Sequence, residues 1–225
     1  MSEATAFNTE QELFFKQLRQ ETAESHQKLE NNPLSKAILT PSVSVQDYQS
    51  YLAALFGVTI ACEDQVFPAI SHLITDLTKR YKSRLIIDDL LATGLTEEEI
   101  DALPVYRFEF SSVAEALGIM YVLEGSTLGG KILYRHIHEV LGLTPENGAS
   151  YFWGYGAQTG NLWKSFISSL TQFVDRQEER DGVIGAAKKT FTIIDNWLGQ
   201  RDPTYAARPT WPDQHGPTGR KIDQQ

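Results

Sequence analysis

A histidine followed four residues later by a glutamate, His26 and Glu30, is the pairing in this chain whose types and spacing suit metal chemistry. On a helix, positions i and i+4 lie on one face. A carboxylate there can accept the Nδ1 proton of the imidazole, which leaves Nε2 as a free lone pair of raised basicity toward a metal. The alternative is an exposed pair of little energetic weight. His136 competes for the same role, because it lies seven residues after Gly129 and so near the same helix face. At about 1.5 Å of rise per residue it stands roughly 10 Å further along the axis, which suits the rim of a pocket better than its centre. His72 and His138 read as surface residues, and His215 falls in a polar tail.

The second unusual feature is a set of glycines, Gly125, Gly129 and Gly130, preceded by Gly118, inside a segment otherwise patterned as one helix over 112–141. An interior glycine costs about 1 kcal/mol relative to alanine, so the three later ones cost about 3 kcal/mol together. Glycine lets another object approach the backbone closely. That object is either a neighbouring helix packed against Gly125 and Gly129 or a flat ligand lying across them, and the pattern alone leaves both open. Glu124, Lys131 and Arg135 flank the run, which argues against a membrane-embedded helix dimer.

The elements that must position these residues are helical nearly throughout. A first helix is expected over 9–31, with Pro33 beyond its end and Leu18, Thr22, His26 and Leu29 on one face. Ser44-Val45-Gln46-Asp47 resembles a capping box and opens a second helix, with Tyr48, Leu52, Leu55, Thr59 and Cys62 inward and Pro68 following. Helices are also expected over 69–81 and 82–92, and a short one from Thr96-Glu97-Glu98-Glu99, ended by Pro104. Ser112-Val113-Ala114-Glu115 is a further capping box, and Gly142 is a natural stop for that long helix. An aromatic and glycine loop, Tyr151-Phe152-Trp153-Gly154-Tyr155-Gly156, leads to two last helices over 161–180 and 182–198. No period-2 strand pattern or internal repeat is present. The fold class is therefore all-α, with a flexible N-terminus (1–8), one helical domain (9–198) and a proline-rich tail (199–225) too polar to offset its ordering entropy.

Composition sets further bounds. The chain has 225 residues and a formal net charge of −9, without a long run of Lys or Arg. That excludes nucleic acid as the main partner, though not one anionic ligand held by a few basic side chains. Cys62 is the single cysteine, so no disulfide framework or cysteine cluster forms within the chain. The polar start lacks a signal-peptide core, and no stretch is expected to reach the roughly 20 apolar residues that span a bilayer; the cytoplasm is the expected location, with no membrane partner.

Three stretches, residues 18–30, 121–130 and 151–164, resemble in order and spacing the biliverdin-producing heme oxygenases, most closely the bacterial branch associated with phytochromes. The resemblance covers about residues 11–198. It implies a single-domain helical bundle that sandwiches heme between a proximal and a distal helix. His26 would then be the proximal iron ligand, with Glu30 as its partner. Gly125, Gly129 and Gly130 would cover the oxygen side, with Ser126 beside them. Arg19 and Lys164 would pair with heme propionates, as cations do well with carboxylates. Phe191 would help wall the oxygen side. Heme would serve as both substrate and cofactor, and O2 would attack a meso carbon of the ring. Biliverdin, CO and ferrous iron would be released, with a phytochrome as a recipient of the biliverdin. Electrons would come from a ferredoxin- or flavoprotein-type reductase, because the chain has neither a cysteine set for an iron–sulfur cluster nor a Gly-x-Gly-x-x-Gly dinucleotide motif.

The chain departs from the family pattern in two places. Many members carry an aspartate shortly after the glycine matching Gly125; here Ser126 follows, and no aspartate lies in 126–130. Ser168 stands where some relatives have a second basic residue. Two other functions stay open: a heme sensor or carrier without turnover, and a thiaminase-like enzyme on the same fold with Cys62 as nucleophile.

Overall fold

Local sequence signals start and stop most of the helices in the computed structural model, which describes residues 9–200. The first helix, α1 (Thr9–Glu30), buries Phe14, Leu18 and Thr22 along one stripe. Asn32 then caps α2 (Pro33–Ala37): its Oδ1 accepts from the Leu34 N–H at 3.0 Å. The Asn32 amide also donates to the Asp195 carbonyl and carboxylate at 2.9 and 2.8 Å, which ties this corner to the end of the chain's last described helix.

Helix α3 (Val45–Ala61) opens on the expected capping box. Ser44 Oγ accepts from the Asp47 N–H at 3.1 Å, and the Asp47 carboxylate accepts from the Ser44 N–H at 2.8 Å. Those bonds hold the Asp47 carboxyl below its usual range. Pro68 does not end the helix. The winding widens to a π-turn at Cys62–Val66 and resumes as α4 (Phe67–Ile70). Proline falls near the start of that resumed turn, where its missing N–H matters least. The whole stretch Val45–Ile70 is long and apolar enough to cross a membrane, contrary to the expectation from sequence. Its apolarity matches its central place in the bundle, since Tyr48, Leu52 and Val58 are fully buried.

The helix expected over 69–81 does not form. Turns follow α4, then a 3₁₀ turn at Leu77–Lys79. Ile74 and Leu77 still face the core, but the chain folds back so that the Arg80 guanidinium enters the interior. Helix α5 (Ser83–Ala92) follows as expected. Thr96 and Glu99 form the reciprocal cap of α6 (Glu97–Asp101).

The long helix α7 (Val113–Leu141) carries the glycines. Ser112 Oγ accepts from the Glu115 N–H at 3.2 Å, while the Glu115 carboxylate reaches one residue further out, to the Ser111 N–H at 2.7 Å. Gly142 ends α7 in the left-handed region at φ +71°, as its position predicts. Helix α8 (Ser150–Trp153) and two positive-φ glycines, Gly154 and Gly156, lead into α9 (Thr159–Phe173) and α10 (Gln177–Gly199). The break between these last two helices lies at 174–176 rather than near Gly182. The Glu179 carboxylate accepts the Arg176 N–H at 3.1 Å and starts α10 there. Gly182 sits inside α10, where a Cβ would stand 3.1 Å from Ala114 Cβ, so this glycine serves close packing on α7.

Helix α10 packs along both α7 and α1, and α9 touches the same two helices. Supported this way, α1 and α7 stand apart along part of their length. The gap between them is the site.

Candidate functional site

A cavity of about 840 Å³ lies between α1 and α7, toward the upper end of the roughly 300–1,000 Å³ typical of small-molecule and cofactor pockets. Helix α1 contributes Arg19, Thr22, His26 and Glu30; α7 contributes Gly125, Ser126, Gly129 and Gly130; Phe191 and Ile194 enter from α10. Much of the remaining lining is apolar or aromatic, including Tyr51, Leu55, Val58, Phe152 and Trp163.

The structure brings most of the expected residues together, in specific ways. The His26 side chain is 56 % exposed and opens on the cavity. Its Nδ1 lies 3.6 Å from Glu30 Oε1, just beyond hydrogen-bond reach. Phe191, expected on the α7 side, instead sets its ring edge-on against the His26 imidazole, 5.4 Å between centroids. Because α10 runs against α1 as well as α7, this side chain serves the histidine wall. Arg19 is exposed at the cavity edge, with its guanidinium over the Phe15 ring at 5.9 Å. Lys164 is exposed on α9 and does not line the cavity; its neighbour Trp163 does. His136 also stays out of the lining, with its Nε2 2.9 Å from the Thr40 carbonyl. His72 and His138 are exposed, as expected, and His215 lies outside the described residues.

The glycines divide between the two readings the sequence left open. A Cβ on Gly129 would meet nothing within 4 Å, and one on Gly125 would reach only the Trp163 ring, at 3.5 Å. These two leave the α7 backbone bare toward the cavity. A Cβ on Gly130 would lie 2.8 Å from the Phe152 carbonyl oxygen, and one on Gly118 would lie 2.4 Å from the Val183 carbonyl. Those two are packing glycines. Gly129→Ala is therefore expected to stabilise the ligand-free protein by about 1 kcal/mol, the helix-propensity difference. Gly130→Ala is expected to destabilise it by about 1–3 kcal/mol, since a backbone carbonyl cannot yield. Urea unfolding midpoints of the two variants, moving in opposite directions, check both.

The chemistry that sequence reasoning missed lies behind α7. Glu124 reads in sequence as a flanking charge, yet it is only 1 % exposed. It pairs with the fully buried Arg80 and accepts from the Tyr155 hydroxyl at 2.9 Å. Arg80 also binds Asp76 through Nε at 2.8 Å and Nη2 at 3.0 Å, and donates to the Leu162 carbonyl at 2.9 Å. Lys82 is buried and lines the cavity. The signal for Glu124 was its register: it lies seven residues after Leu117 and continues the buried run 116–123. Tyr151 also lines the cavity. Burial pushes its hydroxyl up to about 12, with the Thr59 and Ser126 hydroxyls beside it pulling the other way.

Cys62 is buried in the π-turn and absent from the cavity lining. Burial pushes its thiol well above the ordinary range, the opposite of an activated nucleophile. A thiol reagent such as dithionitrobenzoate is expected to label it only on denaturation; rapid labelling of the native protein would contradict this geometry.

A sequence model of the heme oxygenase family matches residues 12–200. The chain belongs to the heme oxygenase family. This heme oxygenase family member is 30 % identical over 182 residues to heme oxygenase PigA of Pseudomonas aeruginosa, covering 80 % of this chain and 89 % of that protein. Among solved structures, a heme oxygenase from Leptospira interrogans superposes with a TM-score of 0.69 at 17 % identity, covering 83 % of this chain and 98 % of that one. Heme oxygenase-1 from the cyanobacterium Synechocystis, solved in complex with heme, gives 0.68 at 16 % identity, over 86 % and 94 % of the two chains. At these identities the likeness is one of fold, and the family's all-α bundle is the architecture described above.

Proposed function

We propose that this protein binds heme in the cavity between α1 and α7 and opens the ring to biliverdin, with release of CO and ferrous iron. The observation that carries the reading is a large, mostly apolar cavity with an imidazole on α1 and a Cβ-free strip of backbone on α7. A flat, apolar macrocycle with one iron and two carboxylates fits those surroundings. His26 Nε2 would hold the iron, with Glu30 Oε1 3.6 Å from Nδ1 and Phe191 against the imidazole ring helping to orient it. Gly125 and Gly129 let the ring and O2 come close to the α7 backbone, and Gly130 keeps that helix seated on Phe152.

Arg19 at the cavity edge neutralises a propionate, and the exposed Lys164 contributes at most at the outer rim. Bound heme supplies the iron at which O2 is reduced. The chain itself would hold the imidazole and line the site with aromatic side chains that displace bulk water. Ser126 faces the cavity and donates to its own helix at the Leu123 carbonyl, 2.7 Å away, with the Tyr151 hydroxyl beside it. Electrons come from a separate ferredoxin- or flavoprotein-type reductase, since one cysteine cannot build an iron–sulfur relay; a phytochrome in the cytoplasm is a fitting recipient for the biliverdin.

Hemin titration followed by reductant and oxygen tests the proposal. A saturable complex forms, and its heme absorbance then gives way to a green bile pigment. A stable complex without pigment contradicts turnover and favours a sensor or carrier; absence of any complex contradicts heme binding as well.

A further inference from the structure

Lys82 is a buried cation of the cavity wall to which heme binding and ring opening, as set out above, assign no task. It directly precedes α5, is 5 % exposed, and lines the same cavity as His26. Its Nζ donates to the Leu123 carbonyl on α7 at 3.1 Å. That carbonyl also accepts from Ser126 Oγ at 2.7 Å. An ammonium and a cavity-facing hydroxyl thus meet on one backbone oxygen, one residue from Glu124 and two from Gly125.

An ammonium has three N–H donors, and the carbonyl takes one. The acidic neighbours are committed elsewhere. Glu63 Oε1 accepts the backbone N–H groups of Lys82 and Ser83 at 2.5 and 2.8 Å, and its other oxygen accepts the Ser83 hydroxyl. Glu124 is taken by Arg80 and Tyr155. Among the described residues no carboxylate pairs directly with Nζ, and the Tyr151 and Tyr155 rings flank it at 5.9 and 5.7 Å. Cys62 and Arg80 complete the titratable groups around it. Burial, with the Arg80 guanidinium nearby, holds its pKa below the ordinary lysine range, while the Glu124 and Glu63 carboxylates work the other way. A lysine serving only the fold would be expected to bury its charge against a partner, because an unpaired buried charge is costly. This one keeps unused donors on the wall of a cavity.

We propose that Lys82 supplies a positive charge beside the α7 wall, which would favour small anionic ligands on that face of a bound heme. The inference rests on the heme reading above. Preorganised charge in a site shielded from water acts more strongly than in bulk.

The test uses the heme-reconstituted protein and two readouts other than turnover: azide affinity of the ferric complex, and the infrared C–O stretch of the ferrous CO complex. Lys82→Met is expected to weaken azide by about tenfold and to shift the C–O stretch upward, as a nearby positive charge is lost. Lys82→Arg should keep both close to wild type. Lys82→Gln retains an N–H for the Leu123 carbonyl without the charge, and should behave as Lys82→Met; it carries the test if the methionine variant does not fold. Uncharged variants that bind heme with unchanged azide affinity and C–O stretch overturn the role of Lys82 alone. A wild-type protein that forms no heme complex overturns this role together with the heme reading.

Discussion

Arg80→Met is expected to lower the stability of the heme-free protein by about 3–5 kcal/mol, because it strands a buried carboxylate. Arg80 is 0 % exposed and Glu124 is 1 % exposed. With the guanidinium gone, Glu124 keeps only the Tyr155 hydroxyl, Asp76 keeps the Ser165 hydroxyl at 3.2 Å, and the Leu162 carbonyl loses its side-chain donor. For a domain of this size each kcal/mol corresponds to roughly 2–4 °C. A melting temperature lower by about 6–20 °C follows. The double variant Arg80→Met/Glu124→Leu should recover a large part of the loss, since two apolar side chains of similar volume carry no desolvation cost. Urea unfolding of both variants measures the coupling. A single variant within 1 kcal/mol of wild type, or a double variant as unstable as the sum of its parts, would show that the pair is not the buried bond described.

His26→Ala is expected to abolish ring opening and to change the heme spectrum. Removing an outer partner of a metal ligand typically costs about 10–100-fold in affinity or activity. Glu30→Gln belongs in that range, at its lower end, because Nδ1 and Oε1 are 3.6 Å apart and the pair is half exposed. Removing the ligand itself costs more than the upper end. Heme still partitions into the cavity of His26→Ala through its apolar walls, so binding weakens less than turnover does. Added imidazole enters the space left by the side chain and restores a nitrogen-ligated spectrum. A His26→Ala protein with the wild-type spectrum would place the ligand elsewhere; His136, hydrogen-bonded to Thr40 outside the cavity lining, is poorly placed to take over.

The parts of the fold legible in the sequence are those set by local physics. The caps at Ser44, Thr96 and Ser112 and the left-handed stop at Gly142 involve partners within four residues, so their spacing can be read directly. Residues 69–81 misled because apolar spacing resembles a helix, whereas the chain turns to insert Arg80 against Glu124, 44 positions away. No local pattern encodes that pair. Gly182 read as a break for a related reason: a glycine within a helix is ambiguous until its neighbour, here Ala114, is known.

The site shows the same division. His26, Gly125 and Gly129 were legible by type and register, Arg19 and Ser126 only through the family resemblance, and all line one cavity. The packing role of Gly130 depends on the Phe152 carbonyl, and the side taken by Phe191 depends on how α10 lies against α1. Lys82 was invisible because it sits in a connection before α5, and its partner is a backbone carbonyl, which carries no sequence signal.

The most direct test of heme held between α1 and α7 is a crystal structure of the ferric heme complex. The account predicts the iron bonded to His26 Nε2, the macrocycle lying against the bare backbone at Gly125 and Gly129, and a propionate at Arg19. Iron bonded to another side chain, or a heme seated outside this cavity, would contradict it.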